Sequence, residues 1–430
     1  MSDLLAARSQ MALSLGFHII FAEIGIAMPV LMVLAEWRWR RTGDAVHLEL
    51  AKRWAKGTAI LFAVGAVSGT VLSFELGLLW PGFMKFAGPI IGMPFSLEGF
   101  AFFTEAIFLG VYLYGWKALS PRAHMVAGVV VAVSGAASAV FVVMVNAWMN
   151  TPTGITMQGG EIVAIDPIAG MFNPSTVQQV VHMLLASYAA TGLAVAGIHA
   201  LALRRGAAST FHRSALAIAV GVGAPAALLQ PLSGDLSARV VAQTQPVKLA
   251  ALEGQFHTER GAPLRIGGWP DVASGVTRFA IEIPYGLSLL AFHDPKAEVR
   301  GLNDVPRDLW PPVLPVHAGF QIMVGLGTLM AAVSAWTLWT AWRYRSLVGR
   351  RMLLGALVLV APCGFIATEA GWTVTEVGRQ PWVVQGVLRT ADAVTPMPGL
   401  VVPFVIFTAL YITLGVIVVV LLRGIVRETM

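Results

Sequence analysis

Charged residues make up only 12% of this 430-residue sequence, against about 25% in an ordinary soluble domain. That scarcity excludes a soluble globular chain. Hydrophobic residues reach 57%, and they fall in blocks near or above the roughly 20 residues needed to cross a bilayer. Cysteine is all but absent: a lone Cys363 rules out an internal disulfide and every CxxC-type metal or covalent cofactor site. A small-residue cleavage motif is also missing. The N-terminus runs through Arg8 straight into the first apolar block, so no cleavable signal peptide is expected. The formal net charge of +6 does not point to nucleic acid, because the basic residues sit in short clusters between apolar blocks, where Lys and Arg anchor cytoplasmic loops.

The apolar blocks fall at 14–35, 57–79, 95–116, 125–148, 178–203, 214–232, 314–342, 352–372 and 400–422. Arg38, Arg40, Arg41, Lys52, Arg53 and Lys56 crowd the first linker, and Lys117 and Arg122 occupy the third. Arg204, Arg205 and Arg213 fill the fifth, and Arg343, Arg345, Arg350 and Arg351 the seventh, while Arg423 and Arg427 follow the last block. The linkers between them differ: 80–94 holds only Lys85, and 149–177 holds no Lys or Arg. This alternation predicts an all-α integral membrane protein, a bundle of about nine transmembrane helices with the N-terminus outside and the C-terminus cytoplasmic. The chain reads as one membrane domain over 1–430, placed in the bacterial cytoplasmic (inner) membrane. Two outer linkers are long. Residues 149–177 read as an ordered cap, and 233–313 mixes both charge signs with many prolines and glycines, a length uncommon without a function.

Ionisable residues inside a bilayer are costly unless paired, so they are functional candidates by default, although a lone His or Glu also serves as helix–helix glue. The blocks or their margins hold His18, Glu23, Glu75, Glu98, Glu105, Asn146, His182, His199, Glu369 and Glu376. With the predicted topology, His18, His182, Met323 and Glu376 share one depth near the outer face. Imidazole, thioether and carboxylate can each occupy an axial position on haem iron; a Met in a membrane helix is ordinarily packing, so Met323 gains weight only from its neighbours. Glu98 and Glu105 lie seven apart, on one helix face about 10.5 Å apart along the axis, an arrangement suited to a proton relay. The stretch from Gly371 to Trp382 is the densest polar–aromatic patch, and its Arg379 is unusual in an outer linker. A guanidinium there suits carboxylates such as haem propionates.

These residues resemble a family, subunit I of the cytochrome bd-type quinol oxidases. GRQPW at 378–382, preceded by Trp372 and Glu376, carries the likeness furthest. So do GLLWPGFMKF at 77–86, Glu98-Gly99 with AFFTE at 101–105, LSPRAH at 119–124, and Asn146-Ala147-Trp148-Met149. QPVKLAA at 245–251 with Glu253 is similar to the family's quinol-binding loop, and FQIMVG at 320–325 to its methionine-ligand motif. The matches run in order from Arg8 to about Ala393.

The resemblance implies a terminal oxidase that oxidises quinol outside and reduces O2 to water with cytoplasmic protons, building proton-motive force without pumping. It implies three haems. His182 and Met323 would ligate a low-spin haem b, and His18 and Glu376 would each ligate one haem of the oxygen-reducing site: a high-spin haem b, and haem d or a third haem b. Glu98, Glu105, Ser138 and Asn146 would line proton or haem contacts; Lys248 and Glu253 would belong to the quinol site within 233–313. Trp372 would lie between haems, with Arg379 and Gln380 in support. Implied partners are a second multi-span subunit, in some cases a small single-span one, with ubiquinol or menaquinol, O2 and the lipid membrane, and no nucleic acid. Gln321 stands where well-known members carry Arg, Glu75 lies two positions beyond their Glu, and Glu23 adds a carboxylate they lack. These departures, with the short loop, resemble the cyanide-insensitive oxidase branch. From the residues alone, a haem-free secondary transporter coupling ions through Glu98 and Glu105 is the competing reading, opposed by the absence of an evident inverted repeat. A haem–copper oxidase would need several histidines around the metals; this chain has nine in all, with no adjacent pair.

Overall fold

The structure, a computed structural model, describes residues 1–427 apart from 160, 208 and 348. Among the described residues nine helical segments are long and apolar enough to cross a membrane. They begin with α1 (Asp3–Thr42), α2 (Ala45–Leu79), α3 (Pro81–Tyr114) and α4 (Pro121–Asn150). A β1–β2 hairpin (Ile155–Gln158, Glu161–Ile165) and the short α5 (Pro167–Met171) lead into α6 (Thr176–Arg204) and α7 (Thr210–Thr244). After a long connection come α10 (Val313–Tyr344), then α11 (Arg351–Val360) with α12 (Cys363–Val377) as one interrupted span, and finally α14 (Val401–Arg427).

Local chemistry places the helix starts. Ser2, Asp44, Ser120 and Ser209 each accept a hydrogen bond from a backbone N–H of the first turn, satisfying donors that a helix start leaves free. Gly43, in the left-handed region at φ 71°, closes α1, where a residue with a Cβ would be strained. The tight turn at Gly43-Asp44 makes α1 and α2 an antiparallel hairpin; α3 with α4 and α6 with α7 are the other close pairs.

The connections sort to two ends of the bundle. The helix ends that carry the basic clusters, joined through 43–44, 115–120, 205–207 and 345–347, turn at one end. Everything elaborate lies at the other, called here the loop end: the hairpin after α4, the 245–312 connection, and the β9–β10 hairpin (Trp382–Val384, Leu388–Arg389) with α13 (Thr390–Ala393). The 245–312 connection contains α8 (Pro246–Glu253), α9 (Gly286–Phe292) and three antiparallel pairs: β3 (Glu259–Arg260) with β8 (Glu298–Val299), β4 (Leu264–Ile266) with β7 (Ile281–Ile283), and β5 (Trp269–Asp271) with β6 (Val276–Arg278).

Two boundaries differ from the sequence reading. The long loop begins at 245 rather than 233, because α7 continues through Pro231 and Gly234 to Thr244. Residues 81–94, read as a linker, are the first turns of α3; Pro81 sits at its start, and Pro89 and Pro94 lie inside the helix. Prolines are tolerated in membrane helices, where neighbouring helices and local adjustments satisfy the freed carbonyls, so they are poor boundary markers here.

The bundle core is built by close approach. Gly192 of α6 faces Gly223 of α7, and a Cβ at Gly192 would meet the Gly223 Cα at 2.5 Å. Around this contact pack Leu193, Ala196, Ala219, Ala224, Met330 and Leu357 from α6, α7, α10 and α11. Such small-residue crossings let dispersion hold helices together where lipid supplies no hydrophobic drive. α14 stands apart: it touches α1 and α2, with Tyr411 tilted against Phe17 of α1 at a ring separation of 4.7 Å, and leaves an apolar face uncovered.

We expect Gly192→Leu to force α6 from α7 and to destabilise the bundle by about 1–3 kcal/mol. Thermal unfolding in detergent would show a lowered midpoint; an unchanged midpoint would mean that this crossing does not hold the core.

Candidate active site

The loop end brings four elements to one point. α8 lies across the ends of α4 and α12, and Gly378 makes room for it: a Cβ there would lie 3.2 Å from Lys248 Cγ. From Lys248 a hydrogen-bonded chain runs inward. Lys248 Nζ donates to Asn150 Oδ1 at 2.6 Å and to the Thr375 carbonyl at 3.4 Å. Asn150 Nδ2 donates to Asn146 Oδ1 at 3.0 Å. Asn146 Nδ2 donates to Glu376 Oε1, and Arg379 Nη2 donates to Glu376 Oε2. Gln380 reaches back to the Glu376 carbonyl at 3.4 Å and accepts from Thr390 Oγ1 at 2.9 Å. Five residues named from the sequence (Lys248, Asn146, Glu376, Arg379 and Gln380) thus form one network. Its linchpin, Asn150, was not among them. It accepts from Lys248, donates to Asn146, and its carbonyl accepts from Gln245 Nε2 at 3.0 Å. The only sequence signal was an amide one turn after Asn146 on the same helix face.

Lys248 is only 5% exposed and Glu253, the last residue of α8, 3%. Burial and the nearby Arg379 guanidinium push the Lys248 ammonium down to about 7, against the pull of Glu376. Burial pushes the Glu253 carboxyl up to about 7, while the Arg265 guanidinium and a backbone hydrogen bond limit the rise. Both groups can therefore change charge near neutrality, which is what acid–base chemistry requires. The segment facing them is pinned to α10. Gln321 accepts from the Gly267 N–H at 2.9 Å and donates to the Arg265 carbonyl at 3.0 Å. His317 lies between the Leu252 carbonyl (2.7 Å) and the Gly267 carbonyl (3.1 Å).

The remaining candidates stand in separate places. His18 points from α1 to α2, its Nδ1 3.0 Å from Ser68 Oγ, and Gly69 clears its path, since a Cβ there would meet Cε1 at 2.9 Å. His182 of α6 turns to α7, with Nδ1 2.9 Å from Ser233 Oγ and the Gln230 amide nitrogen 3.2 Å from Nε2. Met323 of α10 meets Gly371 of α12, where a Cβ would lie 2.9 Å from its sulfur; Trp372 follows directly. Glu98 accepts from Ser138 Oγ at 3.1 Å, and Glu105 lies against Gly135 one turn away on the same helix, α4, so both acids face α4. No group of three or more His, Cys, Asp or Glu converges among the described residues, and no hydrogen bond joins His18 to Glu376.

The donor set fits a planar, anionic, iron-bearing group. Arg379 is 2% exposed, yet its Nε and Nη1 have no partner among the described residues, which leaves two buried guanidinium donors for carboxylates. His18 has Nδ1 held by a serine hydroxyl, and a ring fixed through one nitrogen presents the other to a metal; His182 is held by Ser233 at Nδ1 with the Gln230 amide at Nε2, so that amide has to give way for a metal to bind there.

Residues 6–430 match the family described as cytochrome bd terminal oxidase subunit I. The chain is 39% identical over 425 residues to the putative cytochrome bd menaquinol oxidase subunit I of Bacillus subtilis, covering 97% of this chain and 95% of that one. It is 29% identical over 457 residues to the cytochrome bd-II ubiquinol oxidase subunit 1 of Escherichia coli, covering 90% and 88%. It also superposes on the bd oxidase structure from Geobacillus thermodenitrificans with TM-score 0.93 and 40% identity, over 100% of this chain and 99% of that one. The chain therefore belongs to the cytochrome bd terminal oxidase subunit I family. It is an enzyme, a quinol:O2 oxidoreductase of the bacterial respiratory chain, embedded in the inner membrane by many spans. Membership sets aside the transporter reading.

Asn150→Leu should leave the buried Lys248 ammonium without its main acceptor, a loss of about 1–3 kcal/mol. Thermal unfolding and limited proteolysis of the 245–312 connection would register it. Wild-type behaviour in both would mean that Asn150 does not hold α8 to the bundle.

Proposed function

We propose that this chain is the haem-bearing subunit of the oxidase, with the loop end at the outer face, the N-terminus outside and the C-terminus cytoplasmic. The supporting observation is the continuous network from Lys248, at the loop, to Glu376 and Arg379, at the end of α12. It links the residues expected to meet quinol with those expected to hold a haem. The charge alternation supports the orientation, since the basic linkers turn at the opposite end.

Three haems are proposed: His182 and Met323 hold a low-spin haem b, and His18 and Glu376 each hold one haem of the oxygen-reducing site, a high-spin haem b and either haem d or a third haem b. When bound, these groups supply one-electron transfer and oxygen reduction. The chain supplies the rest. Glu253 accepts a proton from quinol while Lys248, held on Asn150, orients the quinol oxygen. Trp372 spaces Met323 from Glu376, and Arg379 offers Nε and Nη1 to propionates. Glu98 and Glu105, with Ser138, pass cytoplasmic protons toward the oxygen-reducing site. Two quinols release four protons outside and give four electrons, which with four cytoplasmic protons convert O2 to two waters. Charge therefore crosses the membrane without a pump.

The partners proposed are a second multi-span subunit and, where present, a small single-span one. The uncovered apolar face of α14 is available for such a contact. The quinol is ubiquinol or menaquinol, the two quinols for which relatives of this chain are named.

Two outcomes test this reading. Because a carboxyl near 7 accepts a proton only when ionised, quinol oxidation should rise as pH increases through about 7 and level off above it. Glu253→Gln should abolish that rise and lower the rate by about a hundredfold; a retained pH profile would exclude Glu253 as the proton acceptor. Glu105→Gln should slow O2 reduction by about tenfold or more while the low-spin haem is still reduced by quinol in stopped-flow spectra. Unchanged turnover would remove Glu105 from the proton path.

A further inference from the structure

Glu98 and Glu105 are not the only acids enclosed at mid-bundle. Glu23 of α1 is 0% exposed. Its Oε1 accepts from Thr368 Oγ1 of α12 at 2.7 Å, and its Oε2 has no partner among the described residues. Glu369, next along α12, likewise has a buried, unpartnered Oε1. Its other oxygen lies against Gly16, where a Cβ would come within 3.0 Å of it. No Lys or Arg pairs with either acid among the described residues. A carboxyl whose second oxygen is buried and faces no partner is costly in a bilayer without a compensating hydrogen bond. The fold nevertheless encloses both, Glu23 on α1 facing Thr368 and Glu369 on α12 facing Gly16, in a seam kept open by a glycine.

Helix geometry separates this pair from the first one. Glu105 lies 4.0 Å from the Cβ position of Gly25. Gly25 is two residues beyond Glu23, about 200° around α1. Glu105 therefore approaches α1 from the α3–α4 side, while Glu23 looks to α6 and α12, where Thr191 Oγ1 also donates to its backbone carbonyl at 3.3 Å. Along α12 the pair leads somewhere. Glu369 and Glu376 are seven apart on one face, about 10.5 Å along the axis, and the step from Glu23 through Thr368 to Glu369 climbs toward the loop end.

We propose that Glu23, Thr368 and Glu369 form a second proton lane through the α1–α12 seam, parallel to the Glu98–Glu105 lane and rising toward Glu376. The proposal rests on the oxidase reading above. In it, the Glu23 carboxyl takes a proton from water on the cytoplasmic side, the Thr368 hydroxyl passes one on as it receives one, and Glu369 releases one toward the site where oxygen is reduced. Each group returns to its starting state, and no electrons move.

The test uses the whole complex purified with its partner chains. Two lanes in parallel mask each other. Glu23→Gln alone should slow turnover by less than Glu105→Gln does, whereas Glu23→Gln with Glu105→Gln should run about tenfold or more below Glu105→Gln alone. Redox-induced infrared difference spectra in H2O and D2O should lose a carboxylic C=O band in Glu23→Gln, a change that a packing role would not produce. Thr368→Val and Glu369→Gln carry the same turnover expectation should Glu23→Gln fail to assemble. A double variant no slower than Glu105→Gln, or an unaltered carboxylic band pattern, overturns the lane. A wild-type complex that takes up no O2 with quinol would overturn the oxidase reading instead; the carboxylic band would then still decide whether Glu23 exchanges a proton.

Discussion

A bilayer supplies no water to a stranded polar group, so a membrane chain must satisfy its own donors and acceptors or leave them for a ligand. That constraint explains the loop end. α8 carries a lysine into the protein interior, and the ammonium is accommodated because Asn150 and the Thr375 carbonyl accept from it. Asn150 can do so only because α4 is long enough to bring it level with the end of α12, where Asn146 and Arg379 occupy the two oxygens of Glu376. Removing any member leaves a buried donor or acceptor alone. The loop, the two helix ends and the Glu376 carboxylate are therefore one unit, and the two nitrogens of Arg379 without a partner among the described residues are its open valence.

α1 has the corresponding role inside the bundle. It packs on α2, α4, α6, α12 and α14, and each face carries different chemistry. His18 looks to Ser68 and Gly69 on α2, Glu23 to Thr368 on α12, and Gly25 to Glu105. A single helix thus fixes the spacing between the haem ligand proposed at His18 and two sets of acids. The glycines at 16 and 69 matter for the same reason: each leaves the volume that a polar side chain from a neighbouring helix fills.

Much of this was legible before the fold. Nine apolar blocks became nine spans, because length and hydropathy alone decide whether a segment prefers lipid. Glu98 and Glu105 were read as facing one way from a spacing of seven, and both do face α4. The ends of the apolar blocks misled: 80–94 was read as a linker and 233–313 as a loop, yet α3 runs through Pro89 and Pro94 and α7 through Pro231, Gly234 and Asp235. Neither Asn150 nor Gln230 announced itself, since an amide near a helix end is common and its importance lies in what other helices bring to it.

The sequence by itself determined the number of spans, the end at which the basic linkers turn, and the family, because these depend on composition, period and ordered local motifs. Only the tertiary structure decided which polar groups meet. That Lys248 reaches Asn150 across 98 residues, that Asn146 reaches Glu376 across 230, and that Glu23 finds Thr368 across 345 follows from how helices cross. A crossing is set by the summed packing of small residues along whole helices, and no local stretch of sequence contains that sum.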